Sequence, residues 1–250
     1  MKPLLLRGMF VGLVAGLLAV LFAHTFGEPQ VNKAIAFESQ QAAAAAAEAG
    51  EPTPLLVSRG IQTTAGLGVG GVVYGVAFGG IFAVAFAIAN GRFSRLGVRA
   101  TAGLLGIAGL IAIYVVPNLK YPANPPSIGQ PDTIGKRTAL YFTLILGSVL
   151  LAVAATQIGR RLAPRVGNWN AATMAVVGYI VAAYLFALLM PGINEVPNAF
   201  SATLLWRFRI AALGTQVILW STMSLLFGFL TERSLTASRR KLAPAPLVTH

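Results

Sequence analysis

The chain of 250 residues contains no cysteine and only two histidines, His24 and His250. Without thiols it can form no disulfide framework and no thiolate metal site, and it has no cysteine nucleophile. Only 10% of its residues are charged, whereas a soluble domain typically has about a quarter. So few charges cannot coat a water-facing surface, and the composition therefore predicts that the bilayer is its solvent.

Nucleotide-binding motifs are also missing, although two segments look similar to them. GLGVGG at 66–71 lies inside an apolar run with no strand before it. GQPDTIGKR at 129–137 is one residue too long for a P-loop, and Arg137 stands where a magnesium-binding hydroxyl is needed. We therefore expect no nucleotide, no nucleic acid partner, no tightly bound cofactor and no enzymatic activity.

The sequence is rich in long apolar runs, and the mean hydropathy of the whole chain is +0.73. Runs of about 20 apolar residues indicate transmembrane helices, and the chain has six: about 8–26, 61–90, 97–117, 138–158, 171–191 and 206–230. This predicts an all-α polytopic membrane protein, a compact bundle forming one domain over 1–233. Strong helix formers predict an outer helical loop over 28–50, and the polar tail 234–250 is predicted to be disordered.

The basic residues predict the orientation of the bundle. With the N-terminus in the cytoplasm, twelve Lys and Arg fall inside and seven outside, while six of the seven acids fall outside. Both termini are therefore predicted to be cytoplasmic. Lys2 and Arg7 before an apolar run are also typical of a signal peptide, but no small-x-small cleavage site follows, so we expect the first span to be retained.

Glycines recur at helical spacing within the spans. Small residues let helix backbones approach closely in lipid, where little hydrophobic force drives association. We expect helix packing through Gly8, Gly12 and Gly16 of the first span, Gly71, Gly75 and Gly79 of the second, and Gly103, Gly106 and Gly109 of the third.

Ionisable side chains gather in the outer loops rather than in the spans, which excludes a buried proton relay or a voltage sensor. Five prolines between Pro117 and Pro131 make the third loop stiff. The structural interpretation is a lid of ion pairs, in which Lys120, Arg137, Arg207 and Arg209 face the acids Asp132 and Glu195. The functional interpretation is a vestibule for a solute, built from the same residues.

Several outer-loop motifs are long and unusual: HTFGEP at 24–29, KYPANPP at 120–126, PDTIGKRTALYF at 131–142, INEVP at 193–197 and LWRFR at 205–209. Taken in order with RGMFVGLVAGLLAVLFA, NWN and LGTQVILW, they resemble the CbtA family of bacterial cobalt transporter subunits. The resemblance implies Co²⁺ as substrate, a role linked to cobalamin metabolism, and residence in the bacterial cytoplasmic membrane. It also implies a small single-span, histidine-containing partner, CbtB.

Three functions stay open at this point. For Co²⁺ uptake, the imidazole and carboxylate donors that this ion favours are His24, Glu28, Asp132 and Glu195, and these acids should matter most. For a carrier of an anionic solute, the outer bases should matter most. For a scaffold or assembly factor with a docking lid, neither set should affect solute flux. The sequence leaves the oligomeric state open, including association of several copies of the chain.

Overall fold

The computed structural model describes residues 1–46, 60, 65–91, 96–126 and 128–242. These residues are mostly helical and form no β-strand. Six of their helices are long and apolar enough to cross a membrane. The predicted all-α, six-span architecture is therefore confirmed.

Eight α-helices follow one another along the described chain. They are α1 (Lys2–Phe22), α2 (Glu28–Ala46), α3 (Leu67–Ala89), α4 (Val98–Gly109), α5 (Val116–Lys120), α6 (Ile134–Val166), α7 (Asn168–Leu189) and α8 (Ala202–Leu242). A π-helical turn, Ala23–Gly27, joins α1 to α2, and a second one, Leu110–Val115, joins α4 to α5. The six spans are thus α1, α3, α4 with its π segment and α5, α6, α7 and α8.

The helices extend beyond the predicted spans into polar sequence. Residues 159–166, predicted to be loop, belong to α6, and a single residue, Gly167, connects α6 to α7. Its φ of 84° is a left-handed conformation that favours glycine. The predicted disorder of the tail is wrong for 234–242, because α8 continues to Leu242; residues 243–250 lie outside the described residues. The outer helix predicted over 28–50 is helical as far as it is described, to Ala46.

The spans divide into a core of four and a peripheral pair. Helix α1 packs on α3 and α8, and α4 also packs on α8. The buried side chains at their junction include Val11, Phe82, Phe86, Met223 and Phe227. Helices α6 and α7 pack on each other, and α6 meets the core chiefly at the π segment 110–115 and α5.

Glycines of α1 and α3 lie directly opposite each other in antiparallel register. Gly8 faces Gly79, Gly12 faces Gly75, and Gly16 faces Gly71. At five of these six positions a Cβ atom would overlap the backbone of the facing glycine, and at Gly71 it would overlap the side chain of Val20 instead. The two backbones are therefore in contact, which gives the dispersion energy that holds helices together in lipid.

The interface between α4 and α8 uses small residues in a different way. Gly109 accommodates the ring of Trp220, Gly106 lies against Ser224, and Gly228 lies against Ala102. Gly103, which the spacing also assigned to a packing stripe, has open space around its Cα instead. The i, i+3 stripe on the third span is therefore wrong at this residue, because Gly103 lies on a different face of the helix from Gly106 and Gly109.

Candidate functional site: the outer lid

Three segments that are distant in sequence meet at one small hydrophobic cluster. Ala34 of α2, Ile128 of the third loop and Phe200 of the fifth loop form its buried centre, and Phe37 packs edge-on against Phe200 at 5.1 Å. We use the term lid for residues 121–126, 128–133 and 191–201. The lid therefore rests on the outer helix α2, which is continuous with the first span through the π turn.

Glu195 is the acidic centre of the lid. Its Oε2 accepts a hydrogen bond from the backbone N–H of Gln130 at 2.9 Å and lies 3.4 Å from Nη1 of Arg137. The hydrogen bonds from the Thr133 side chain and from Gln130, together with the charge of Arg137, hold the pKa of Glu195 below its usual range. Its side chain is only 12% exposed. Glu195 is therefore ionised at neutral pH and ties the fifth loop to the third.

Arg137 occupies a space that only glycine leaves open. Its guanidinium lies where a Cβ of Gly129 would be, and Gly129 has a φ of 117°. The same guanidinium donates through Nη2 to the carbonyl oxygen of Gln130 at 3.4 Å. A left-handed, side-chain-free residue is thus needed at 129 for Arg137 to reach Glu195.

Arg209 holds the proline-rich part of the lid through neutral acceptors. Its Nε donates to the carbonyl oxygen of Ala123 at 3.2 Å, and its Nη2 donates to Oδ1 of Asn124 at 3.0 Å. Nearby, the Tyr121 hydroxyl donates to the carbonyl oxygen of Pro191 at 2.7 Å, and burial raises the pKa of Tyr121. The third loop, the fifth loop and α8 are therefore joined at several points.

The remaining predicted residues lie around this lid with different surroundings. His24 is exposed in the π turn, Glu28 is the first residue of α2, and Asp132 is exposed in the short 3₁₀ turn Pro131–Thr133. Lys120 ends α5, and Arg207 is exposed on α8. The expected pairing of an acid with Arg207 or Arg209 is not what the described residues show, because Arg209 is bonded to a carbonyl and an amide instead.

No group of three or more His, Asp or Glu side chains comes together within the described part of the chain. The residues His24, Glu28, Asp132 and Glu195 therefore do not form a closed coordination sphere in this conformation. Their separation is compatible with weak, successive contacts to a hydrated ion, and it does not fit a tight resident metal site.

Sequence reasoning missed Gln130, Thr133 and Asn124 as parts of the lid. All three act through a backbone group or a short polar side chain, which carries no distinctive spacing in the sequence. The clustering of prolines around them was the available signal, because a stiff loop in a membrane protein needs internal partners for its amide groups.

An ion pair at the other end of the bundle was also missed. Glu232 of α8 pairs with Arg99 of α4, and the Arg99 guanidinium lies 5.3 Å from the centre of the Phe229 ring. Both side chains are exposed to a large extent, so this pair contributes little to stability. It links α4 to α8 at the ends of these helices that lie away from the lid.

Comparison with known proteins gives one clear result. The family described as "Probable cobalt transporter subunit (CbtA)" matches residues 1–232. Comparisons with curated proteins and with solved structures found no match. The family match covers both the six spans and the whole lid. The chain therefore belongs to the CbtA family of cobalt transporter subunits.

Proposed function

We propose that this chain is the membrane-embedded subunit of a Co²⁺ uptake system in the bacterial cytoplasmic membrane. The observation that carries the proposal is the family match over nearly the whole chain. The structure supports it with a braced outer lid that carries carboxylates above a helical bundle. The bundle itself contains few charges, as a path for a transient ion requires if binding is not to block release.

Within this proposal the acids divide into two roles. Glu195 braces the lid, because its carboxylate already accepts from the backbone N–H of Gln130 and pairs with Arg137. Asp132 is exposed and forms no ion pair with a described residue, so it is available to meet an arriving cation. His24 and Glu28, on the adjoining π turn and α2, are the further nitrogen and oxygen donors.

Hydrated Co²⁺ would exchange some of its waters for these oxygens and the imidazole as it enters. Weak oxygen donors suit such a step, since the ion must leave again toward the cytoplasm. The chain then acts without an ATPase of its own, and the family's description as a subunit implies a partner. We place CbtB, a small single-span, histidine-containing protein, in that role, linked to cobalamin metabolism.

The anion-carrier alternative is weakened by the way the lid uses its bases. Arg137 is bound to Glu195 and Gln130, and Arg209 is bound to Ala123 and Asn124. Both guanidinium groups therefore have acceptors before any solute arrives. In the scaffold alternative, the same lid is a docking surface for another protein. A measurement of solute flux distinguishes this alternative from transport, because a scaffold does not change the flux.

Cellular accumulation of radioactive cobalt, with and without this chain and with its partner, tests the proposal. Asp132→Asn and Glu28→Gln retain size and remove charge, so each should lower accumulation at unchanged protein abundance. Glu38→Gln is the matched control, because Glu38 is an exposed acid further along α2. Equal cobalt accumulation in cells with and without the wild-type chain would exclude uptake. Unchanged accumulation in the Asp132→Asn/Glu28→Gln double variant would mean that the partner, and not this chain, supplies the metal ligands.

A further inference from the structure

Helix α6 continues past the hydrocarbon at its end away from the lid. Residues 138–159 contain no charged side chain, and they measure about 33 Å along a helix, close to the roughly 30 Å thickness of a hydrocarbon core. Arg137 stands at one end of this stretch, and Arg160, Arg161 and Arg165 follow its other end on the same helix. The three arginines therefore lie at the level of the lipid headgroups on the side opposite the lid.

The turn that follows these arginines also presents an exposed tryptophan. Trp169 lies in the first turn of α7 and is 83% exposed. The Nδ2 of Asn170 donates to the carbonyl oxygen of Val166 at 3.0 Å, which holds the end of α6 against the start of α7. Tryptophan is enriched at membrane–water interfaces, because its ring is apolar and its N–H is polar. We use the term basic turn for residues 160–170.

The charge of the basic turn is not compensated by acids of the protein. Residues 133–194 contain no Asp or Glu, and Glu232, an acid of α8 away from the lid, is paired with Arg99. Arg161 and Arg165 are exposed, and neither forms an ion pair or a side-chain hydrogen bond with a described residue. They lie four residues apart on one helix face, where like charges repel each other. An anion bound between them would remove this repulsion.

The core gives the basic turn little support. Helix α6 meets the core chiefly at the π segment and α5, and these two segments lead toward the lid. Only 11% and 6% of the residues in the apolar parts of α6 and α7 are buried, against 28–33% in the other four spans. Lipid therefore surrounds most of the α6–α7 pair, and a lipid bound at the basic turn would hold the end that the core does not.

We infer that the basic turn binds the headgroup of an anionic phospholipid in the leaflet away from the lid. Arg161 and Arg165 pair with the lipid phosphate, because the planar guanidinium group bonds two phosphate oxygens at once. The ring of Trp169 packs at the boundary between the headgroup and the acyl chains. Clusters of basic residues beside a membrane span attract anionic lipid in this way. The inference holds whichever solute the bundle carries.

Titration of the purified full-length chain with lipid tests the site. Native mass spectrometry of the protein released from detergent micelles counts the bound molecules of phosphatidylglycerol, which is anionic, and of phosphatidylcholine, which has no net charge. The wild type should bind phosphatidylglycerol more tightly. Arg161→Gln and Arg165→Gln should each weaken that binding about fivefold, because each removes one charge at the membrane surface. The double variant should bind the two lipids alike.

Lys2→Gln/Arg233→Gln is the matched control for the double variant. Both of its residues are exposed on helix segments away from the lid, and it loses the same number of charges. It should keep the wild-type affinity for phosphatidylglycerol. An equal loss of affinity in the two double variants would show that overall charge attracts the lipid, and it would overturn the assignment to the basic turn. Equal binding of the two lipids by the wild type, or wild-type affinity in Arg161→Gln/Arg165→Gln, would overturn it as well.

Hydrogen exchange locates the lipid on the unmodified protein. The wild type is compared in nanodiscs of phosphatidylcholine alone and in nanodiscs that also contain phosphatidylglycerol. The anionic lipid should slow exchange at the backbone amides of residues 165–170, and it should not do so in Arg161→Gln/Arg165→Gln. Exchange at 165–170 that is the same in both kinds of nanodisc would overturn the proposal. Slower exchange confined to other segments would overturn it too, because the lipid would then bind elsewhere.

Discussion

Gly12 of α1 and Gly75 of α3 face each other so closely that neither position has room for a Cβ atom. A methyl group at Gly12 would overlap the carbonyl oxygen of Gly75, and one at Gly75 would overlap the carbonyl oxygen of Gly12. The relationship is reciprocal because the two helices run antiparallel with their glycines in register. This contact is the centre of the packing between the first two spans.

Gly12→Ala should therefore destabilise the bundle by about 1–3 kcal/mol, the usual cost of overpacking, because backbone atoms on both sides must move apart. Gly70→Ala on α3 is the control, since open space surrounds Gly70. Thermal unfolding in detergent measures the difference. The double variant Gly12→Ala/Gly75→Ala should lose less than the sum of the single changes, because both act on one contact. A Gly12→Ala protein as stable as Gly70→Ala would contradict the contact.

The number of spans and the α1–α3 contact could be predicted from the sequence because both depend on local spacing. Hydropathy marks the residues that lie in hydrocarbon, and glycines four apart fall on one helix face. Helix ends could not be predicted in this way. Residues 159–166 are polar and still helical, because a helix need not stop where the hydrocarbon does.

The lid could be predicted only in outline. Opposite charges in two loops indicated an ion pair, and Glu195 with Arg137 forms one. The partner of Arg209 could not be deduced, because it bonds to a backbone carbonyl and to Asn124, which have no charge to signal them.

Arg209 should stabilise the lid more than Arg207, although the two lie only two residues apart. Arg209→Ala removes two charge-assisted hydrogen bonds in a partly buried setting. Each such bond contributes at most about 3 kcal/mol to the free energy of unfolding. Arg207 is exposed, so Arg207→Ala should have little effect. Hydrogen exchange at the backbone amide of Ala123 and limited proteolysis of the lid give the measurement. Equal protection of the lid in the two alanine variants would show that these bonds do not hold it.

Acid should loosen the lid through Glu195. Hydrogen bonds from Thr133 and Gln130 lower the pKa of Glu195 in the folded protein. The stability that this gives is complete above the unfolded pKa of about 4.3 and is lost as the pH falls through the folded value. The difference in melting temperature between the wild type and Glu195→Gln should therefore be constant near neutral pH and shrink below about pH 4. A difference that stays constant down to pH 3 would mean that another group controls the acid sensitivity.

The orientation of the chain predicts which surface residues reach each side of the membrane. Twelve of the nineteen Lys and Arg fall on the side that holds both termini if the N-terminus is cytoplasmic. Because the native chain has no cysteine, single cysteines can be labelled with an impermeant maleimide in intact cells. Asn198→Cys in the lid and Ser39→Cys on α2 are at exposed positions and should react from outside.

Asn168→Cys, after the turn at Gly167, and Ala237→Cys, near the end of α8, are equally exposed in the structure. They should react only after the cells are opened, because the predicted orientation places them in the cytoplasm. The four positions form a matched set, since all are exposed in the structure and differ in the side of the membrane that they are predicted to face. Labelling of Asn168→Cys and Ala237→Cys in intact cells, with Asn198→Cys protected, would show that the protein has the opposite orientation in the membrane. The lid would then face the cytoplasm, and the carboxylates of the proposed entrance would instead lie where the ion leaves.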